Sequence, residues 1–421
     1  MTSTELQTTA RNASTADLVS ILQTQQAHKL DVVAPATKIG SVDGLLKVAD
    51  TVAEITEDGV TAVAGTYRPT DVFDEGIGSK LGIPRQYFRR LREDGRTDLI
   101  DGNINGLLHG KRLRDSQGQY VPGEYRHNPD DRSFLLRLFR GDDGQPGVAR
   151  ALLSDRYSLS MDNLDVITAV TKGIRQAGAT PTVRVSDLSE RHMRVRFEFP
   201  EINQEAAALL DGYKSPFDGT RVRRAGGRDL EALREQYGPH HIFNQKDAPI
   251  VYMGIDLDNS ETGGGAYSLV PVVEVVKCTN GWVMTREGTR KVHRGAVLAE
   301  GVIKPSIETI RIAGKLVTSE TADAVSQWLA PEYLAGLVRG LEEKAGVPIA
   351  SPTEVVPAVC TSLGFTPEEA RGVLDLFIIS GQPTAGGLGQ AITAYAQTVD
   401  DVDRAFDLER YAVPALEAAA R

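Results

Sequence analysis

Four clusters of basic residues carry the most conspicuous chemistry in this chain. Arg85, Arg89, Arg90 and Arg92 sit beside Tyr87 and Phe88. Arg184, Arg194 and Arg196 fall in two short segments that read as paired strands. Arg221, Arg223, Arg224 and Arg228 stand in a Gly-containing stretch, and Arg286, Arg290, Lys291, His293 and Arg294 follow the last predicted strand. Guanidinium groups follow phosphates and flat side chains stack on bases, which is how single strands of nucleic acid are gripped. The candidate contacts are therefore Arg194, Arg196, Arg221, Arg223 and Arg224, with Tyr87 and Phe88 as lesser, stacking candidates. The plain alternative is that each cluster is a solvated face paired with nearby acids such as Glu93, Glu190 and Asp229.

A second constellation is acidic. Asp256 lies near the end of one predicted strand, and Glu274 and Lys277 lie on the next. Two carboxylates that hold Mg²⁺ and a lysine that orients water would make a metal-dependent nuclease. The spacing E-V-V-K puts Glu274 and Lys277 on opposite faces of a regular strand, and a bulge would have to bring them together. Other chemistry has less to stand on. There is no GxSxG elbow and no GxGxxG fingerprint, and GGLGQ at 386–390 lacks the GKS or GKT ending of a phosphate-binding loop. His240 and His241 are adjacent and would point apart, and Cys278 has no CxxC partner, so no metal and no cofactor is expected.

These side chains need elements to position them. Ser14 caps a helix over 14–27 that places Leu18, Ile21 and Leu22 on one face. A hairpin is expected over 51–66. IPRQYFRRLRED (83–94) reads as a helix with Pro84 at its first position and an apolar stripe opposite a basic one. The turn-rich stretch 110–131 reads as an exposed loop. SFLLRLFR and VARALLS read as two strands, followed by a helix that begins at Asp162 and stops at Gly178. In the next hairpin, TVRVSDL and HMRVRFEF, Arg194 and Arg196 alternate with Val195 and Phe197, which predicts one apolar and one basic face. Residues 200–248 read as a long excursion, and strands resume at 250–257 and 266–277. From about 305 the pattern is helical only: 306–329, 331–345, 353–363, 367–379 and 388–399. SPTE and TPEE mark two of the starts.

The 421 residues give room for about two or three domains. Two cysteines exclude a disulfide framework, and no apolar run approaches the roughly 20 residues that span a bilayer. The polar amino terminus does not read as a secretory signal, so a cytoplasmic protein is expected. Net charge is −10, unevenly spread: residues 1–80 hold 6 basic and 11 acidic groups, residues 81–300 hold 32 and 30, and residues 301–421 hold 9 and 16. A negative total opposes non-specific attraction to a polyanion, while a local patch can still bind one.

The stretches RALLSDRYSLSMDN (150–163) and DNSETGGGAYSLVPVVEVVKCTNGW (258–282) resemble a phage- and plasmid-associated family whose core is a domain of unknown function. GIPRQYFRRL and PTAGGLGQAITAYAQTVDD are similar to it as well, although the family's Asn-Ala-Val-Thr-type helix is here Gln390-Ala391-Ile392-Thr393. The resemblance implies a mobile-element context in the bacterial cell. The element order also resembles, at the level of fold, single-strand annealing proteins, which implies a basic groove and a homo-oligomer. The expected fold is α+β: a small α/β region (1–132), a largely antiparallel sheet core with flanking helices (133–303), and an all-helical C-terminal domain (304–421). The expected function is single-stranded DNA binding or annealing in recombination or replication, with no membrane partner. The alternatives are the nuclease and a structural or host-interaction protein of a mobile element.

Overall fold

The computed structural model describes residues 6–49, 54–56, 59–61, 63–126, 130–141, 145–159, 161–210, 212–217, 250–275, 281–283, 289–291 and 297–421. The chain opens with helix α1 (Thr15–His28), capped by the Ser14 hydroxyl, which accepts from the Asp17 amide. Strands β1 (Lys29–Pro35), β2 (Ile39–Val42) and β3 (Leu45–Val48) follow, then the hairpin β4 (Glu54–Thr56) and β5 (Gly59–Thr61), and β6 (Gly65–Pro69). Helices α2 (Asp71–Leu81), α3 (Arg85–Glu93) and α4 (Thr97–His109) come next. The segment expected to be an exposed loop is instead a hairpin, β7 (Lys111–Arg114) and β8 (Tyr120–Arg126), with a break in register between Arg112 and Arg114. Its turn residues, Asp115 to Gly118, had hidden the two arms.

Strands β9 (Ser133–Phe139) and β10 (Gly147–Ser154) then enter the first sheet, whose order ends with β17 (Gly301–Val302) beside β1. The seven strands run β17-β1-β9-β10-β6-β3-β2, and only β10 and β6 are parallel. The division expected at residue 132 therefore cuts through a sheet, because β1 pairs along its whole length with β9. One face of this sheet meets α2 and α4 through Phe73, Ile77, Ile100 and Ile104. The other face is buried as well, which is why SFLLRLF reads as a continuous apolar run interrupted only by Arg137.

Helix α5 (Asn163–Gln176) leads to the second, antiparallel sheet. It comprises β11 (Thr182–Leu188), β12 (Met193–Glu205), β13 (Ile250–Asn259), β14 (Tyr267–Val275) and β15 (Gly281–Val283) in that order, with β16 (Thr289–Lys291) also on β14. A short helix, α6 (Ala207–Leu210), follows β12. One face of the sheet is apolar: Val195, Phe197, Met253, Ile255 and Leu269 pack on α1, α5 and the helices that follow the sheets. The opposite face carries the charged residues.

The rest of the chain is helical: α7 (Ile307–Trp328), α8 (Pro331–Ala345), α9 (Pro352–Ser362), α10 (Pro367–Ser380), α11 (Ala385–Ala396), α12 (Val402–Arg410) and α13 (Ala412–Ala419). Thr366 and Glu369 form the capping box that TPEE predicts, whereas the Ser351 side chain caps nothing. Helices α7 and α8 belong to the core of the second sheet through Val325, Trp328, Leu334 and Val338. A separate helical core starts at Ile349 and contains Val356, Phe377 and Ile392. The expected α+β architecture with a helical C-terminal region is what forms, although the core of that region begins 47 residues after the last strand ends, at Ile349 against Val302. Among the described residues no helix is long and apolar enough to cross a membrane.

Candidate functional site

Helix α3 is short and strongly two-sided. Pro84 occupies its N-cap, and Phe88 and Leu91 face the core. That fixes Arg85, Tyr87, Arg89 and Arg90 on the outside. Phe88 is 2% exposed, so the expected stacking platform is a core residue; Tyr87, at 41%, is available. The three arginines are between 62% and 80% exposed. Each has an acid nearby: Glu75 for Arg85, Glu93 for Arg89 at 3.1 Å, and Asp94 for Arg90 at 3.7 Å. Arg92 turns inward and makes a two-pronged contact with Asp74, at 2.7 and 2.9 Å.

The alternating arginines of β12 stand elsewhere. Register places Arg196 opposite Asp256 and Arg194 opposite Asp258 across β12 and β13. Arg196 is fully buried; its Nε lies 2.6 Å from Asp256 and 2.9 Å from Glu274, and its Nη2 lies 3.1 Å from Glu409 of α12. Arg194 reaches Asp256 at 2.9 Å and Glu409 at 2.5 Å, and stacks on Phe406, 4.1 Å from the ring centre. The expectation that Arg194 and Arg196 line an open basic groove is thus corrected. The alternation does mark a charged face, but α12 covers it and three carboxylates neutralise it. Burial would raise the Asp256 carboxyl, yet Arg194 and Arg196 outweigh it and hold the group well below its usual range. Glu274 goes the other way. Burial pushes it up to about 7, with Asp256, Glu409 and Glu198 adding to the rise against Arg196. Two guanidinium groups balance two carboxylates, and the third carboxyl is the surplus one.

The same geometry bears on the nuclease constellation. Asp256 and Glu274 do come together, but around Arg196 rather than around an open seat, and neither reaches solvent. Lys277 lies outside the described residues, as do Arg221, Arg223, Arg224 and Arg228. Of the fourth basic cluster, Arg290 and Lys291 fall in β16, and the others lie outside the described residues.

A cleft of about 670 Å³ opens where α3, the β11–β12 turn, the β13–β14 turn and α12 meet. Arg85 stands at one side, and Arg191, His192, Asp258, Asp403, Arg404 and Asp407 are among the residues that line the rest. Glu75 pairs with both Arg85 and Arg191, which ties α3 to the hairpin. His192 Nδ1 lies 2.8 Å from Asp258 Oδ1. Burial alone would lower the imidazole, but Asp258, Asp403 and Asp407 prevail and raise it above its ordinary value. Gly264 and Gly265 let the turn pass beside this ring, since a Cβ at Gly265 would come 2.9 Å from His192 Cε1. Nothing local in the sequence marks His192, because Asp258 and Asp403, which raise it, lie more than sixty residues away.

The two stretches that carry the family resemblance touch each other. Asn259 Nδ2 donates to Asn163 Oδ1 (2.8 Å) and to the Met161 carbonyl (3.0 Å), and Tyr157 Oη donates to the Ser260 carbonyl (2.7 Å). The Asn163 amide donates to Glu261 at 2.6 Å, and Glu261 also takes Arg150 at 2.7 Å. Below them Arg137 binds Asp31 twice (2.9 and 3.0 Å) and Asp162 (2.7 Å), and Lys29 reaches the same two acids. Asp162 therefore spends its carboxylate on these cations instead of capping α5; Arg137 and Lys29 overcome its burial and bring it down to about 2. This network is buried and joins the first sheet, α5 and the second sheet; it is a joint, not an open site. Among the described residues no group of three or more His, Cys, Asp and Glu is placed to hold a metal ion. No family model, curated protein or solved structure matches this chain.

Proposed function

We propose that the chain binds single-stranded nucleic acid, in the mobile-element setting that the resemblance implies, and that the outer face of α3 is the contact. The observation that carries this reading is the presentation of Arg85, Tyr87, Arg89 and Arg90 to solvent along one short helix. The acids beside these arginines do not disqualify them. Exposed ion pairs are worth about 0–1 kcal/mol, so a phosphate displaces a carboxylate there at little cost. The buried pairs of Arg194 and Arg196 cannot exchange in that way, because undoing them leaves charges without partners inside the protein. The cleft next to Arg85 gives the strand a polar continuation along Arg191 and Arg404. Arg221, Arg223 and Arg224 remain part of the proposal as a second contact.

Fluorescence anisotropy with a labelled oligonucleotide, run over a range of salt, tests it. Replacing Arg89 and Arg90 with Ala should weaken binding at least tenfold and flatten the salt dependence by about 0.7 per lost phosphate contact. Tyr87→Ala should cost about 1–3 kcal/mol if a base stacks there. Thermal midpoints should stay close to that of the parent chain, since only surface pairs are lost. An R89A/R90A protein with unchanged affinity and unchanged salt slope would refute the α3 contact, and the same titration with R223A/R224A decides the second one.

A further inference from the structure

Two side-chain donors in the cleft beside α3 lack an acceptor. Arg410, on the last turn of α12, is half-buried, and its guanidinium lies over the Phe406 ring, 4.5 Å from the centre. Its Nε is buried, and among the described residues it donates to nothing. His192 stands beside the same ring, with 6.4 Å between the ring centres. Its Nδ1 is committed to Asp258, and no described residue accepts from Nε2. Burial works against the charged imidazole, but Asp258, Asp403 and Asp407 outweigh it, so Nε2 carries a proton to donate. The acids of the cleft are mostly engaged. Asp258 takes His192, Asp403 accepts from Ser189 Oγ at 2.6 Å, and Asp401 accepts from the Arg404 amide at 3.0 Å. Asp407 is exposed, where water and salt screen its charge. The other arginines already have carboxylates: Arg85 and Arg191 share Glu75, and Arg404 holds Glu369. Donors left over in a half-buried place are costly, and an anionic oxygen is the acceptor that satisfies both.

We infer that this cleft takes the terminal phosphate of a nucleic-acid strand, with His192 Nε2 and Arg410 donating to its oxygens. The site extends the nucleic-acid reading above and rests on it: Arg85 begins α3 and also lines the cleft, so a strand lying along α3 brings its end there. A phosphate inside a strand has two free oxygens and a single charge. A terminal one has three free oxygens and, near neutral pH, about two charges. Asp258, Asp403 and Asp407 weaken the pull on any anion, so the added charge and the added oxygen decide what binds. Free phosphate shares this chemistry, but a strand held on α3 presents its own phosphate at a raised local concentration.

Fluorescence anisotropy in phosphate-free buffer compares three oligonucleotides of one sequence, phosphorylated at the 5′ end, at the 3′ end, or at neither. One of the phosphorylated strands should bind about tenfold more tightly than the bare one. His192→Gln and Arg410→Gln should each cut that preference to about twofold or less, while binding the bare strand as the parent does. A second arm uses no strand: inorganic phosphate, set against chloride at equal ionic strength, should raise the thermal midpoint of the parent and of neither variant. Equal affinity for all three strands would overturn the inference and leave the α3 contact standing. Binding of a phosphorylated strand without binding of the bare one would refute the α3 contact and keep the cleft. A preference that survives both substitutions, or a parent midpoint that phosphate does not move, would overturn the cleft.

Discussion

At the scale of single residues, Glu274 is a carboxyl whose charge the fold tolerates poorly. Its carboxyl is raised from an ordinary 4.5 to about 7, first by burial. Between those values the folded chain keeps a proton that the unfolded chain has released, so this group makes stability fall as pH rises from about 4.5 through 7. Glu274→Gln holds the position neutral at every pH. Thermal melts should show the variant within error of the parent at about pH 4 and higher by about 2–6 °C at about pH 8. Equal midpoints at both pH values would mean that Arg196 already satisfies the charged form. This residue also shows what the sequence could and could not reveal. Alternation along β12 correctly separated an apolar face from a charged one. It could not disclose the cover, because Glu409 and Phe406 arrive from a helix more than two hundred residues downstream. A period of two reports that a strand has two faces, not which of them meets water.

At the scale of elements, α5 and α7 approach each other closely. A Cβ added at Gly173 would lie 2.5 Å from Thr321 Cβ and 2.6 Å from the Thr318 carbonyl oxygen. Neither neighbour is the free end of a flexible chain, so Gly173→Ala should force the helices apart. The overpacking should cost about 1–3 kcal/mol against the small helical preference of Ala over Gly. Urea titration of the two proteins measures it, and a stabilised variant would show that the crossing can widen freely. Helices with strong caps were legible in the sequence: Ser14 for α1, and Thr366 with Glu369 for α10. Helices α4 and α13 carry no such signal, whereas α2 and α12 do have side-chain caps, Thr70 and Asp401, and were not expected from the sequence. Helix α4 begins after an Arg96 that caps nothing through its side chain, and α13 after Tyr411 in the same condition. Tertiary burial, rather than local signals, holds such helices in place.

At the scale of the whole molecule, the charged networks are fasteners between parts rather than sites upon them. One network ties the first sheet to α5 and the turn after β13, and the other ties the second sheet to α12. Cutting the chain after residue 400 would strip Glu409 from Arg194 and Arg196 and bare Phe406's place above them. We expect the shortened chain to lose several degrees of thermal stability in the β-sheet portion itself, detected by near-ultraviolet circular dichroism. An unaltered melt would show that α12 merely rests on the sheet. The candidate site followed the same logic. Arginine richness was legible, but whether a guanidinium faces solvent or an acid depends on how distant segments dock.

Strand β1 lies between β9 and β17, with Val32 opposite Leu136 on one side and Val302 on the other. A ribosome therefore releases this strand long before either of its neighbours has been translated. The nascent amino-terminal third must wait with a hydrophobic ribbon whose amides and carbonyls lack mates, a condition that invites capture by another polypeptide. Fragments ending before residue 133 should for that reason precipitate during synthesis, and full-length yields should respond to chaperone supply.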